Sequence, residues 1–223
     1  MKDFIWGMQL RILKRWTRAG VNKFLEINLI QFHESTEVLV IGGHGPILKF
    51  IEKYPFRITT LDINPNHKPD FVYDLADKKL LINFEENKFD LIIAMEVLEH
   101  IPDYLQALKN ISKILKKNGV LLGSTPWIIP MHDIPNDFHR FTYFEILRVL
   151  RNQNFESIKI HSRGNFFDAL IAMCLRGLFE PTLSAKILSF LLGPFSLILP
   201  RPKLHENPST ACIGYVFSAT MPR

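Results

Sequence analysis

From residue 37 onward, short apolar runs alternate with longer stretches in which apolar positions recur every three or four residues. The runs EVLVIGG (37–43), RITTLDINP (57–65), DFVYD (70–74), KFDLIIAME (88–96), VLLGSTP (120–126) and FESIKIHSR (155–163) read as strands, and ACIGYVFSAT (211–220) supplies a last one. Between them, PILKFIEKY (46–54), YLQALKNISKILKKNG (104–119) and YFEILRVLRNQN (143–154) carry the helical period, with Asn118-Gly119 expected to close the second of these helices. Strands that are apolar throughout are strands covered on both faces. Their alternation with helices predicts an α/β, Rossmann-like, largely parallel sheet with helices on both sides. Ligands are then expected at the carboxyl ends of the strands.

Two segments depart from this rhythm. Phe4, Ile5, Met8, Ile12 and Trp16 stand at near-helical spacing among cations. They predict a helix that either lies on an anionic membrane surface or, as a terminal helix, packs on the domain or covers its cofactor cleft. Residues 164–205 are strongly apolar, and between 165 and 200 only Asp168, Arg176, Glu180 and Lys186 are charged. The uncharged piece Ile187 to Pro200 is too short for a bilayer, which needs ~20 residues. It suits an inserted helical unit with its own small core, a segment dipping into an interface, or the cover of an apolar channel. The organisation expected is a basic amphipathic segment at 1–34, a core of 35–163 and 206–223, and an apolar helical insertion at 164–205.

Charge refines this picture. The net +5 resides in residues 1–25, where Lys2, Arg11, Lys14, Arg15, Arg18 and Lys23 face Asp3 alone. The remainder is neutral, which argues against a nucleic-acid partner, since such proteins spread basic residues over a folded face. Cys174 and Cys212, the only cysteines, exclude a disulfide framework and a cysteine-based zinc site.

The candidate chemistry gathers at strand ends. VLVIGGHGP is a strand entering a glycine turn, and Asp62 ends the second strand, where a carboxylate can accept from both hydroxyls of a ribose. No tyrosine is followed by a lysine four residues later, so the active-site pair of short-chain nicotinamide reductases is missing. The string FDLIIAMEVLEHIPDYLQAL, continued by NISKILKKNGVLLGSTP, resembles the class I S-adenosylmethionine-dependent methyltransferases, in their small-molecule, type-11-like group. The resemblance spans about residues 37–160, and GYVFSAT resembles their last strand. It implies a seven-stranded sheet in order 3-2-1-4-5-7-6 with strand 7 antiparallel, and S-adenosyl-L-methionine as cofactor. Carried over by position, Gly42, Gly43 and Gly45 lie beside the methionine part of the donor, Asp62 on the ribose and Ile63 beside the adenine. Asp74 and Leu75 fall at the adenine edge, and Glu96 and Val97 line the pocket. His100 organises its loop. Val40 stands where the family usually has an acid, and His44 where it has its middle glycine.

The segment MHDIPNDFHRFT (131–142) follows the fifth strand, where an acceptor would lie, and resembles an "H..P.D..R.T" element of bacterial members acting on glycans and other surface molecules. His132, Asp137 and His139 are its candidate catalytic residues, His132 foremost as a base that titrates near neutrality. Arg140 is expected to pair with Asp137 or Asp133, and Thr142 with Glu145 to form a capping box. No metal is expected, because His132 and His139 lack a carboxylate-rich helical context. The resemblance implies O-methylation of a sugar, glycolipid or other small metabolite, in the cytoplasm or at the inner face of the membrane. A lipid-linked acceptor handled at a membrane surface is a further expectation. The alternative is a non-catalytic methyltransferase-like binding or scaffolding module, which Val40 and His44 favour.

Overall fold

The computed structural model describes residues 16, 18, 20–80, 84–177 and 182–223. One eight-stranded sheet runs through it in the order β3-β2-β1-β4-β5-β8-β6-β7. Its strands are β1 (Glu37–Ile41), β2 (Arg57–Asp62), β3 (Phe71–Val72), β4 (Phe89–Met95), β5 (Leu115–Pro126), β6 (Glu156–Arg163), β7 (Leu204–His205) and β8 (Gly214–Thr220). β1 to β5 pair in parallel, while β8 lies antiparallel between β5 and β6. The expected order is therefore present, with one correction. A two-residue strand, β7, pairs with β6 and makes the count eight rather than seven. Residues 204–205, read as part of the insertion, join the sheet edge.

The alternation of side chains along each strand builds two cores. On β4, Ile92 and Ala94 join Leu39, Ile41 and the helices α3 (Tyr104–Ile114) and α4 (Tyr143–Asn152). Leu91, Ile93 and Met95 point the other way, to Val38, Val40 and the helices α1 (residues 20–29) and α2 (Gly45–Ile51). Within α4, Ile146, Val149 and Leu150 are the buried positions, one stripe at i, i+3 and i+4.

Helix α3 ends at Ile114, four residues before the expected Asn118-Gly119 stop. The chain enters β5 at once and kinks: Leu115 pairs with Phe89, but the next pair is Val120 with Leu91. Asn118 takes a left-handed φ of 58°, and a side chain at Gly119 would meet the Lys116 carbonyl at 2.7 Å. This dipeptide thus turns a strand bulge instead of capping a helix.

The insertion forms two packed helices, α5 (Phe166–Arg176) and α6 (Leu183–Ile198). Ala172 and Leu175 of α5 bury Trp16 and Ile213 in a small cluster of their own. The Trp16 indole also donates to the Asp168 carbonyl at 3.2 Å. Trp16 and residues 20–29 of the basic leader pack on the domain; Phe4, Ile5, Met8 and Ile12 lie outside the described residues. Among the described residues no helix is long and apolar enough to cross a membrane.

Candidate active site

The strands β2, β1, β4 and β5 end side by side, and their carboxyl termini carry the residues singled out above. After β1 the chain turns at Gly42 and Gly45, both at φ +66°, where a β-carbon is disfavoured. Gly43 lies so close to β2 that a β-carbon would stand 2.8 Å from Thr60 Cβ, and one on Gly42 would stand 2.9 Å from Val97 Cγ2. The turn is therefore wedged between β2 and the segment that follows β4.

Asp62 ends β2 almost buried. Its Oδ1 accepts from the Asn64 N–H at 2.8 Å, and its Oδ2 lies 3.1 Å from His44 Nδ1 and 2.8 Å from His67 Nδ1. The two imidazoles stack with centroids 3.7 Å apart. Burial alone would raise the Asp62 pKa, but the Asn64 N–H and the two histidines outweigh it and hold the carboxyl below its usual range. The glycine backbone and the rim carboxylate fit a nucleoside-bearing donor. Half-exposed His44, in the place of a glycine, covers the Oδ2 oxygen of Asp62. Ile63 projects into solvent beside Asp62, as a residue flanking a base would.

Asp74 accepts from the Ala76 N–H at 2.8 Å in a turn. Leu75 points into the core, and its carbonyl is held by Asn110 Nδ2 at 2.8 Å. The Leu75 side chain is thus a core residue and does not line an open site.

Glu96 follows β4 in a left-handed conformation, φ 55°, which costs a residue with a β-carbon ~1–2 kcal/mol. Its carboxylate is held by Ser124 Oγ at 2.7 Å and by Arg163 Nη2 at 2.8 Å. Arg163, fully buried, also donates to the Thr125 carbonyl at 3.2 Å. Neither Ser124 nor Arg163 was singled out from the sequence. Arg163 sits on β6, and only the sheet order brings it to Glu96.

Glu99, also passed over, is completely buried, and neither carboxylate oxygen makes a hydrogen bond. Burial, reinforced by Glu96, holds its pKa well above the usual carboxylate range, against the opposing pull of Arg163 and Arg140. Its backbone carbonyl accepts from the N–H groups of Phe138 at 2.9 Å and His139 at 3.2 Å. Those bonds tie the loop after β5 onto the turn after β4.

In that loop, Arg140 grips Asp137 with two bonds of 2.6 Å, one to each carboxylate oxygen. The guanidinium drives the Asp137 pKa far down, so this carboxylate anchors the loop. The Thr142 hydroxyl accepts from the Glu145 N–H at 3.1 Å, which is half of the expected capping box. The Glu145 carboxylate turns instead to Tyr104 at 2.8 Å and Arg148 at 2.6 Å. His139 packs edge-on against Tyr104 and hydrogen-bonds the Pro102 carbonyl through Nε2 at 3.2 Å. His132 is mostly buried; burial lowers its pKa more than nearby Asp137 raises it, leaving a neutral imidazole at pH 7. An open cleft of about 660 Å³ runs along this loop, between Trp127, Pro130, Phe138 and Arg140 on one side and Met173 of the insertion on the other.

Comparison with known proteins identifies the family and the fold. A family described as a methyltransferase domain matches residues 21–169. An uncharacterised protein of Methanocaldococcus jannaschii is 34% identical over 109 residues, 44% of this chain and 46% of that protein. A ubiquinone biosynthesis O-methyltransferase of Coxiella burnetii is 30% identical over 89 residues, 38% of this chain and 36% of its own length. This chain thus spans less than half the length of the curated relatives it matches. A solved SAM-dependent methyltransferase from Archaeoglobus fulgidus has the same fold, with a TM-score of 0.59 at 14% identity over 90% of this chain and 92% of the other.

Proposed function

The chain belongs to the methyltransferase-domain family, and from that premise we propose that it transfers a methyl group to an oxygen atom of a small acceptor. S-adenosylmethionine is the donor that membership brings. The observation that carries the reading is the rim itself. The Gly42–Gly45 turn, Asp62 and Glu96 stand at the carboxyl edge of a doubly wound sheet, and the loop after β5, tied to the turn after β4 through the Glu99 carbonyl, walls an open cleft.

Methyl transfer from a sulfonium is an in-line displacement: the O–C bond forms as the C–S bond breaks, and the acceptor hydroxyl loses its proton. Alignment alone can lower such a barrier by ~7–11 kcal/mol. Of the three candidate catalytic residues, His132 has a buried ring nitrogen that makes no hydrogen bond and a pKa lowered by burial, and it is our candidate proton acceptor. Oxygen is favoured over nitrogen or carbon because relatives from three organisms are named O-methyltransferases.

The acceptor we propose is a sugar or glycolipid carried on an apolar chain, taken up at the inner face of a membrane. Supporting this, Phe166, Phe167, Leu170 and Met173 of α5 and Leu183, Ile187, Phe190 and Leu191 of α6 are exposed side chains of one helical pair, and Met173 also lines the cleft. Titration calorimetry with S-adenosylmethionine tests the donor half. Heat is expected from the wild type, with affinity falling at least tenfold in Asp62→Ala. No heat from the wild type would leave the scaffolding alternative standing. Transfer of a labelled methyl group to solvent-extractable lipid tests the acceptor half.

A further inference from the structure

The loop after β5 and the turn after β4 meet around an unsatisfied carboxyl group. Glu99 is 0% exposed, and neither of its oxygens finds a hydrogen-bond partner. Buried polar groups in folded proteins are almost always paired, so an orphan of this kind asks for an explanation. His100 and His132 are its neighbours. One ligand atom from each of the three residues lies within 4.8 Å of the other two.

His100 is oriented as a ligand is. His100 Nδ1 sits 2.6 Å from the Asn136 carbonyl, which can only accept, so Nδ1 carries the proton. The lone pair is then on Nε2, which lies 3.8 Å from Glu99 Oε1 and 3.9 Å from Asp133 Oδ2. A backbone carbonyl fixing the far nitrogen is the usual support of a metal-bound imidazole. The backbone N–H of His132 donates to Asp137 Oδ2 at 2.9 Å, which ties that histidine into the loop. Its Nδ1 is buried, 3.3 Å from that same oxygen, and makes no hydrogen bond. The cations that could have neutralised Glu99 bind other carboxylates, Arg140 holding Asp137 and Arg163 holding Glu96.

We propose that Glu99, His100 and His132 form a binding site for one divalent first-row transition cation, at the junction of the loops that follow β4 and β5. Two imidazoles and a carboxylate suit zinc, manganese or cobalt, whereas magnesium and calcium take oxygen ligands. Metal–ligand bonds near 2.0–2.2 Å put neighbouring ligand atoms roughly 3–3.5 Å apart, so small rotations of these side chains close the site. The asymmetry between the two histidine-rich clusters at the rim supports the choice. His44, Asp62 and His67 also stand within reach of one ion, but both oxygens of Asp62 are already satisfied there.

The site itself rests on geometry alone. Its use rests on the methyl-transfer reading: a cation beside the cleft would orient an acceptor hydroxyl and ease loss of its proton. With the cation bound, His132 is a ligand in place of the base assigned above, and the proton of the metal-bound hydroxyl passes to solvent.

Equilibrium dialysis of the chelator-treated full chain against zinc, with elemental analysis, should give one equivalent per chain. Cobalt in its place should give a visible ligand-field band. Glu99→Gln keeps the shape of the buried acid and should fold; it and His132→Ala should each weaken binding by roughly 100-fold or more. Failure to bind a stoichiometric ion overturns the site, as does binding that survives Glu99→Gln and disappears in His67→Ala. Calorimetry of the metal-free chain with S-adenosylmethionine reads the family assignment separately. A chain that binds donor but no cation loses this proposal alone. Glu99→Gln also separates ligand from base, since a base has no need of Glu99.

Discussion

Asp62 holds three N–H groups on one nearly buried carboxylate. Its folded-state pKa is depressed below the unfolded value of 3.8. The stability it contributes is therefore present above that value and lost as pH falls through the folded pKa. Urea unfolding of wild type and Asp62→Asn at pH 6 and in the acid range should show a smaller pH dependence in the variant. Equal slopes would mean that His44 and His67 do not favour the ionised form. Arg163 supports a second prediction. Arg163→Met strands Glu96, and removal of one partner from a buried pair costs about 3–5 kcal/mol. Because the Glu96 side chain keeps 33% of its exposure, the lower end of that range or less is expected in chemical denaturation. Lysine at 163 should rescue only in part, since a single ammonium cannot reproduce the planar group that reaches Glu96 and Thr125 together. Legibility in the sequence followed distance along the chain. Gly42, Gly43, Gly45 and Asp62 belong to strand-turn units readable in a few residues. Ser124 and Arg163 reach Glu96 from β5 and β6, and no local pattern announces a contact 67 residues away.

At the scale of elements, helix starts were easier to read than helix ends. Thr142 caps α4 as its spacing implied, and Thr142→Ala should lower stability by about 1 kcal/mol in thermal or urea unfolding. Asn118-Gly119 has the composition of a helix stop, yet the pairing of Leu115 with Phe89 draws the chain into the sheet first. Tertiary pairing here outweighed a local signal that either a cap or a bulge would carry. Gly123 illustrates a constraint that periodicity does not reveal. The Phe217 ring of β8 lies over it, filling the space of a β-carbon. Gly123→Ala should then destabilise the protein by roughly 1–3 kcal/mol through overpacking, read by the same unfolding curves. A silent substitution would mean that Phe217 can swing aside without loss.

For the molecule as a whole, alternation made the layered, largely parallel sheet legible and the resemblance carried by FDLIIAMEVLEHIPDYLQAL implied its strand order, whereas β7 is too short to stand out from the insertion that contains it. The exposed apolar face of α5 and α6 makes a prediction at this scale. The wild type should float with anionic liposomes at low salt, and Phe166→Glu with Phe167→Glu should remain in the soluble fraction. Flotation that is unchanged by the pair would place the contact elsewhere.

The position of β8 has a consequence for how the protein is made. β5 and β6 leave the ribosome well before the strand that belongs between them. Until residues 214–220 arrive, the nascent sheet is in two pieces. Arg163 waits on one piece and Glu96 on the other, so the clamp behind the donor rim is among the last features to assemble. A polypeptide halted at residue 213 would hold the glycine turn and Asp62 yet lack the bridge that keeps Glu96 in place.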